Sequence, residues 1–158
     1  MVTSILIAEG GPVPDHDRIY RALNPKHENG LPSDNHFVMS RKQDPPGDGI
    51  STGIESRISL SELRSIESIQ SRYGKCFGIA ELIVGEVLAP VAILGVSVLQ
   101  KDAPDWGGFS YAHAVITGYQ SLEGTEGKRR IHEFRRHLVN LARKRYYAPG
   151  SETAVSVG

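Results

Sequence analysis

His36-Phe37-Val38-Met39-Ser40 and His113-Ala114-Val115-Ile116-Thr117 share one order of residue types: histidine, apolar, valine, apolar, hydroxyl. Imidazole titrates nearest to neutrality, so two rings facing one ligand suit acid–base chemistry, one taking a proton while the other gives one. Alternate residues of a strand point the same way. Extended, the first run puts His36, Val38 and Ser40 on one face. The second puts His113, Val115 and Thr117 on one face with Tyr111. A phosphodiester or cyclic nucleotide is a natural substrate for such a pair, and His36 and His113 are its candidate catalytic residues. The competing explanation is a histidine that caps each strand and bonds locally.

Anionic ligands need cations. Arg129, Arg136 and Arg143 recur every seven residues, roughly along one helix face with His132 and Asn140. Together with Arg21 they are the candidate phosphate contacts, and the helix face offers a route to nucleotide or nucleic acid. A solvated face opposite a core stripe has the same pattern. Asp34 precedes His36 by two residues, and His16 lies between Asp15 and Asp17. No recognised ligand spacing accompanies them, so no metal is assigned and the cofactor is left open. Cys76 is the only cysteine, which excludes an internal disulfide and a multi-cysteine zinc site. The glycine-rich run Gly47 to Gly53 follows a proline-rich loop, not a strand, and reads as turns.

Three resemblances follow from these residues. The two histidine-led runs resemble the motifs of paired-histidine phosphoesterases of the LigT type. Their hydroxyl lies two residues after the histidine, whereas Ser40 and Thr117 lie four after. Tyr20-Arg21 and Ser51-Thr52 resemble the strand arginine and serine-centred strand of ADP-ribosyltransferases. Those enzymes add a catalytic glutamate from a Glu/Gln-x-Glu pattern, which neither Glu81 nor Glu86 forms. Across most of the chain, Tyr20 to Pro25, Gly30 to Phe37, Asp48 to Ser51 and His113 to Gly118 resemble a set of small uncharacterised bacterial proteins. That likeness implies a compact bacterial protein and carries no activity.

The elements that must position these groups are legible in part. Ser59 and Glu62 form a capping-box pair, and Leu60, Leu63, Ile66, Ile69 and Tyr73 recur at helical spacing, predicting a helix over about 59–73. Ile131, Phe134, Leu138, Leu141 and Ala142 predict a second over about 126–146. Strands are expected at 18–23, 36–40, 50–54, 78–84, 91–99 and 111–117, with a turn or short helix near Glu86. Trp106 is expected in a loop, stacking on a ligand or folded over the core. The fold class is α+β: a small mixed or mostly antiparallel sheet with two principal helices.

The 158 residues fit one domain, expected over 1–149, with a frayed tail at 150–158. Net charge is zero, yet the stretch Glu126 to Tyr147 alone holds eight Lys/Arg against two Glu. A basic helix on an acidic body hints at partners, not at chemistry. No segment reaches the ~18–20 apolar residues of a membrane span. The apolar start is too short for a signal peptide, so a cytoplasmic protein is expected. The leading functional expectation is binding of a phosphate-bearing ligand, nucleotide or nucleic acid, with the histidine pair acting on a phosphodiester. The alternatives are a non-catalytic accessory or immunity-type module binding a protein partner, and an ADP-ribosyltransferase-like enzyme.

Overall fold

The computed structural model describes residues 7–38, 49–89, 95–119 and 123–158. Six antiparallel strands form one sheet: β1 (Arg18–Leu23), β2 (Ile50–Ile54), β3 (Gly78–Ile83), β4 (Ser97–Gln100), β5 (His113–Thr117) and β6 (Tyr146–Tyr147). Their order across the sheet is β4-β5-β2-β1-β3-β6. Among the described residues four α-helices accompany it: α1 (Leu60–Arg64), α2 (Glu67–Tyr73), α3 (Val84–Leu88) and α4 (Gly124–Lys144). The expected α+β class is therefore correct.

Period-two alternation divides the strand residues between two cores. Ile19 and Leu23 of β1, Ile50 and Ile54 of β2, and Ala114 and Ile116 of β5 pack with Phe134, Leu138, Leu141 and Ala142 of α4. Tyr20 and Ile79 face the other way, onto Leu60, Leu63, Ile66, Ile69 and Trp106. The sheet thus lies between α4 on one side and α1, α2 and a 3₁₀ segment (Pro104–Ala112) on the other. Each of the buried Ile, Leu and Phe side chains among them contributes about 1.5–3 kcal/mol.

Several elements differ from the sequence pattern. The helix expected over 59–73 starts as foreseen: the Ser59 hydroxyl accepts from the Glu62 amide while the Glu62 carboxylate accepts from the Ser59 amide. It breaks at Ser65, whose hydroxyl donates to the Glu62 carbonyl at 2.6 Å, and Ile66 turns extended to bury its side chain. Residues Asp34–Phe37 form a 3₁₀ turn where a strand was expected. The fully buried Tyr119 hydroxyl donates to the Phe37 carbonyl at 2.7 Å and holds that turn at the end of the sheet. Met39 and Ser40 of the same run, and 91–94 of another expected strand, lie outside the described residues.

The segment after Pro149, expected to fray, is held by backbone bonds. Val155 exchanges two with Tyr146, and the Val157 amide donates to the Arg143 carbonyl at 2.7 Å. Among the described residues no helix is long and apolar enough to cross a membrane.

A candidate ligand cleft where two strands part

β1 pairs with β3 along its whole length, from Arg18↔Ile83 to Leu23↔Gly78. β2 pairs with β5 from Ile50↔Ile116 to Gly53↔His113. Between β1 and β2, however, the ladder runs only through Ile19↔Ile54 and Tyr20↔Gly53. Beyond that point the two inner strands separate, and inner-strand carbonyls lose their cross-strand partners there. Such groups must find donors elsewhere.

Arg21 supplies one. Its Nη1 donates to the Ser51 carbonyl at 3.0 Å, and its Nε donates to the His36 carbonyl at 3.0 Å. Arg21 is almost wholly buried, 3% exposed, and its planar head group ties the two strands and the 34–37 turn to one another. The opening is narrow, about 20 Å³, and is lined by Tyr20, Arg21, Ser51, Arg72, Tyr73 and Trp106 among others. Arg72 reaches it from α2, with Nε donating to the Ser68 carbonyl and Nη2 to Asp105 at 3.1 Å. A cation and aromatic faces beside one another make an environment suited to a phosphate and an attached ring.

Ser51 presents a second feature. Its Oγ lies 2.9 Å from Nε2 of His113, and Nδ1 of that ring lies 2.6 Å from the Lys101 carbonyl. A carbonyl only accepts, so Nδ1 carries the hydrogen, and in the neutral form of the ring Nε2 is then the acceptor. Trp106 packs edge-on against the imidazole, centroids 4.7 Å apart, and His113 is fully buried. The Thr52 hydroxyl donates to the Ala114 carbonyl, which ties β2 further to β5.

His36 has different surroundings. It sits in the 3₁₀ turn, edge-on to His27 at 5.5 Å, with neither ring nitrogen hydrogen-bonded among the described residues. Burial first, and then the Arg21 charge, push its imidazole down to about 4; the nearby backbone of Leu31 and His27 offsets only part of this. The two candidate histidines are linked through Arg21 and Ser51: Arg21 holds the His36 and Ser51 carbonyls, and the Ser51 hydroxyl meets the His113 ring.

The helix arginines divide. Arg129 is engaged by Glu126 and Glu133 on the exposed face of α4. Arg136 and Arg143 instead line a groove of about 440 Å³ with Asn140, and Glu28, Ser33, Asp34 and Asn35 form its opposite wall. Arg21 belongs to the cleft and these two to the groove, so the four anion candidates do not share one concavity. Glu81 is buried on β3, where Arg18 and the Tyr147 hydroxyl both donate to it. Among the described residues no three His, Cys, Asp or Glu side chains gather as metal ligands.

Sequence reasoning singled out Arg21, Ser51 and His113 separately and missed their union. It also missed Arg72 and Tyr73, which read as ordinary helix residues. No motif signals them, because the sheet's parting creates the cleft and that parting has no sequence signature. The chain matches no family model, no curated protein and no solved structure.

Proposed function

We propose that the protein binds a phosphate-bearing ligand of nucleotide type at the mouth of the cleft between β1 and β2. The observation that carries this reading is Arg21, a nearly buried guanidinium held across the parted strands beside Ser51, Arg72, Tyr73 and Trp106. With Nε and Nη1 holding backbone carbonyls, Arg21 would act on a phosphate as a fixed positive charge at the cleft, with little ordering cost. Tyr73, half-buried at the cleft, offers aromatic surface to a ring attached to the phosphate. The cleft holds about one water in its 20 Å³, so the ligand, phosphate included, would lie along its mouth.

One enzyme reading has specific support. The strand arginine and the serine-centred strand that resemble those of ADP-ribosyltransferases meet at this cleft, Arg21 to Ser51 at 3.0 Å. The glutamate such enzymes use has no counterpart among the lining residues, since Glu81 is engaged by Arg18 and Tyr147. The paired-histidine reading would need His36 and His113 to share a ligand, and their separate ring contacts lend it no support.

The test is titration calorimetry of the folded chain with AMP, ADP, 3′,5′-cyclic AMP and NAD⁺, for the parent and for Arg21→Lys. Lysine keeps the charge and loses the two carbonyl bonds that fix its place, so the expected result is at least tenfold weaker binding of whichever nucleotide the parent takes. Equal affinity in both proteins, or no nucleotide binding by the parent, overturns the proposal. The latter result together with salt-sensitive capture of a protein would favour an accessory module. Incubation with NAD⁺ separates the transferase reading, because release of free nicotinamide is its signature.

A further inference from the structure

We propose that Ser51 is a nucleophile activated by His113, and that the group it accepts is the phosphoryl of a phosphate ester. The argument starts from the ring. Lys101, through its carbonyl at 2.6 Å from Nδ1, fixes which nitrogen carries the hydrogen, so the lone pair on Nε2 points at the Ser51 hydroxyl 2.9 Å away. This is the order of an orienting acceptor, a base and a hydroxyl nucleophile, within the distances such relays need. Trp106 covers the imidazole, so forming an imidazolium there carries a burial cost, which the Lys101 carbonyl offsets in part by accepting from Nδ1–H. Ser51, half-buried, lines the cleft that His113 itself does not line, so the hydroxyl is the reachable member of the pair. Backbone placement is equally firm. β2 pairs with β5 at Ser51↔Val115 and Gly53↔His113, and Arg21 holds the Ser51 carbonyl from the other side.

The substrate class rests on the reading of the cleft as a phosphate site, through Arg21 and Arg72 along its walls. In the step, Ser51 Oγ forms a bond to phosphorus as the bond from phosphorus to the leaving oxygen breaks. The hydroxyl proton passes to His113 Nε2, and the leaving alkoxide takes a proton from solvent at the mouth of the cleft. A water molecule then attacks phosphorus and gives up one proton to solvent. The serine oxygen leaves and regains its own proton from His113 Nε2. The sum is hydrolysis of one ester by one water.

The test uses a fluorophosphonate, which forms a stable phosphonyl ester with activated serines and releases fluoride. The intact parent is treated, and the site is mapped by mass spectrometry, with nucleotide binding measured on the same samples. The expected result is a single adduct on Ser51, lost in Ser51→Ala, lost when the parent is unfolded in urea, and formed at least a hundredfold more slowly in His113→Gln. The urea arm needs no variant, so the proposal stays testable if the glutamine protein fails to fold. An unlabelled Ser51 in the folded parent overturns the proposal, as does labelling that survives unfolding or proceeds at the parent's rate in His113→Gln. A parent that binds nucleotide with Ser51 unlabelled overturns the dyad and leaves the ligand reading standing. A labelled Ser51 without nucleotide binding supports the dyad and removes the ligand reading.

Discussion

Arg21 Nη1 and the Ser51 carbonyl oxygen lie 3.0 Å apart across the point where β1 and β2 cease to pair. A side chain there does the work of a missing ladder bond. Substituting Arg21 by methionine keeps the apolar stem and removes both donors, one from the buried His36 carbonyl and one from the part-buried Ser51 carbonyl. An unsatisfied buried acceptor costs about 1–3 kcal/mol. Arg21→Met should therefore lower stability by about 2 kcal/mol or more in urea unfolding, with the slope unchanged. A shift under about 0.5 kcal/mol would mean that water replaces the guanidinium freely and that the cleft is wetter than its geometry indicates.

His36 makes stability depend on acid. Its imidazole is pushed down to about 4 in the folded state against about 6.5 in an unfolded chain. Between those values the unfolded state binds the proton and the folded state does not, so stability is full above pH 6.5 and falls as pH drops toward 4. The loss should reach on the order of 2–3 kcal/mol at pH 4. His36→Phe, which fills the site without titrating, should flatten this part of the pH profile. An NMR titration placing the His36 ring near 6.5 in the folded protein would contradict the assignment.

The sequence disclosed the secondary elements far better than the site. Apolar periodicity located α4 because Phe134, Leu138, Leu141 and Ala142 form one face of a single long helix. It ran two helices together because Ile66 continues the apolar stripe across the break, and nothing in the spacing reveals that Ser65 bonds back to the Glu62 carbonyl. The echo between the two histidine runs suggested like geometry. Asp34-Asn35 favours a turn before the first run, and the Phe37 carbonyl is claimed by Tyr119, 82 residues away. Long-range partners of that kind also build the cleft. Ser51 meets His113 across 62 residues and Arg21 across 30, and each side chain is unremarkable until the sheet forms.

The start of α1 offers a local control. Ser59 and Glu62 each satisfy the other's backbone amide, so the first turn has two of its donors bonded. Ser59→Ala should cost about 1 kcal/mol and Ser59→Gly a few tenths. Neither change should alter nucleotide affinity, because Ser59 is not a lining residue of the cleft. A large loss of affinity in Ser59→Ala would indicate that α1 carries Leu63 and the cleft wall with it when its cap fails.

Two glycines separate backbone strain from crowding. Gly118, after β5, has φ +108°, and a Cβ added to it would lie 2.5 Å from the Gly95 carbonyl oxygen. Gly150 has φ +77° with open space around it. Alanine at position 150 therefore meets only the left-handed backbone penalty, about 1–2 kcal/mol. At position 118 alanine meets a comparable penalty and must also push the neighbouring turn away, since a backbone carbonyl cannot rotate aside as a long side chain can. Gly118 follows the strand that carries His113, and the turn it would displace leads into β4, the outer neighbour of that strand. Gly118→Ala should thus destabilise the protein by about 1 kcal/mol or more beyond Gly150→Ala, and slow Ser51 labelling by fluorophosphonate where Gly150→Ala does not. Equal unfolding midpoints for the two variants would show that the Gly95 turn yields at little cost and that β5 is held from the β2 side alone.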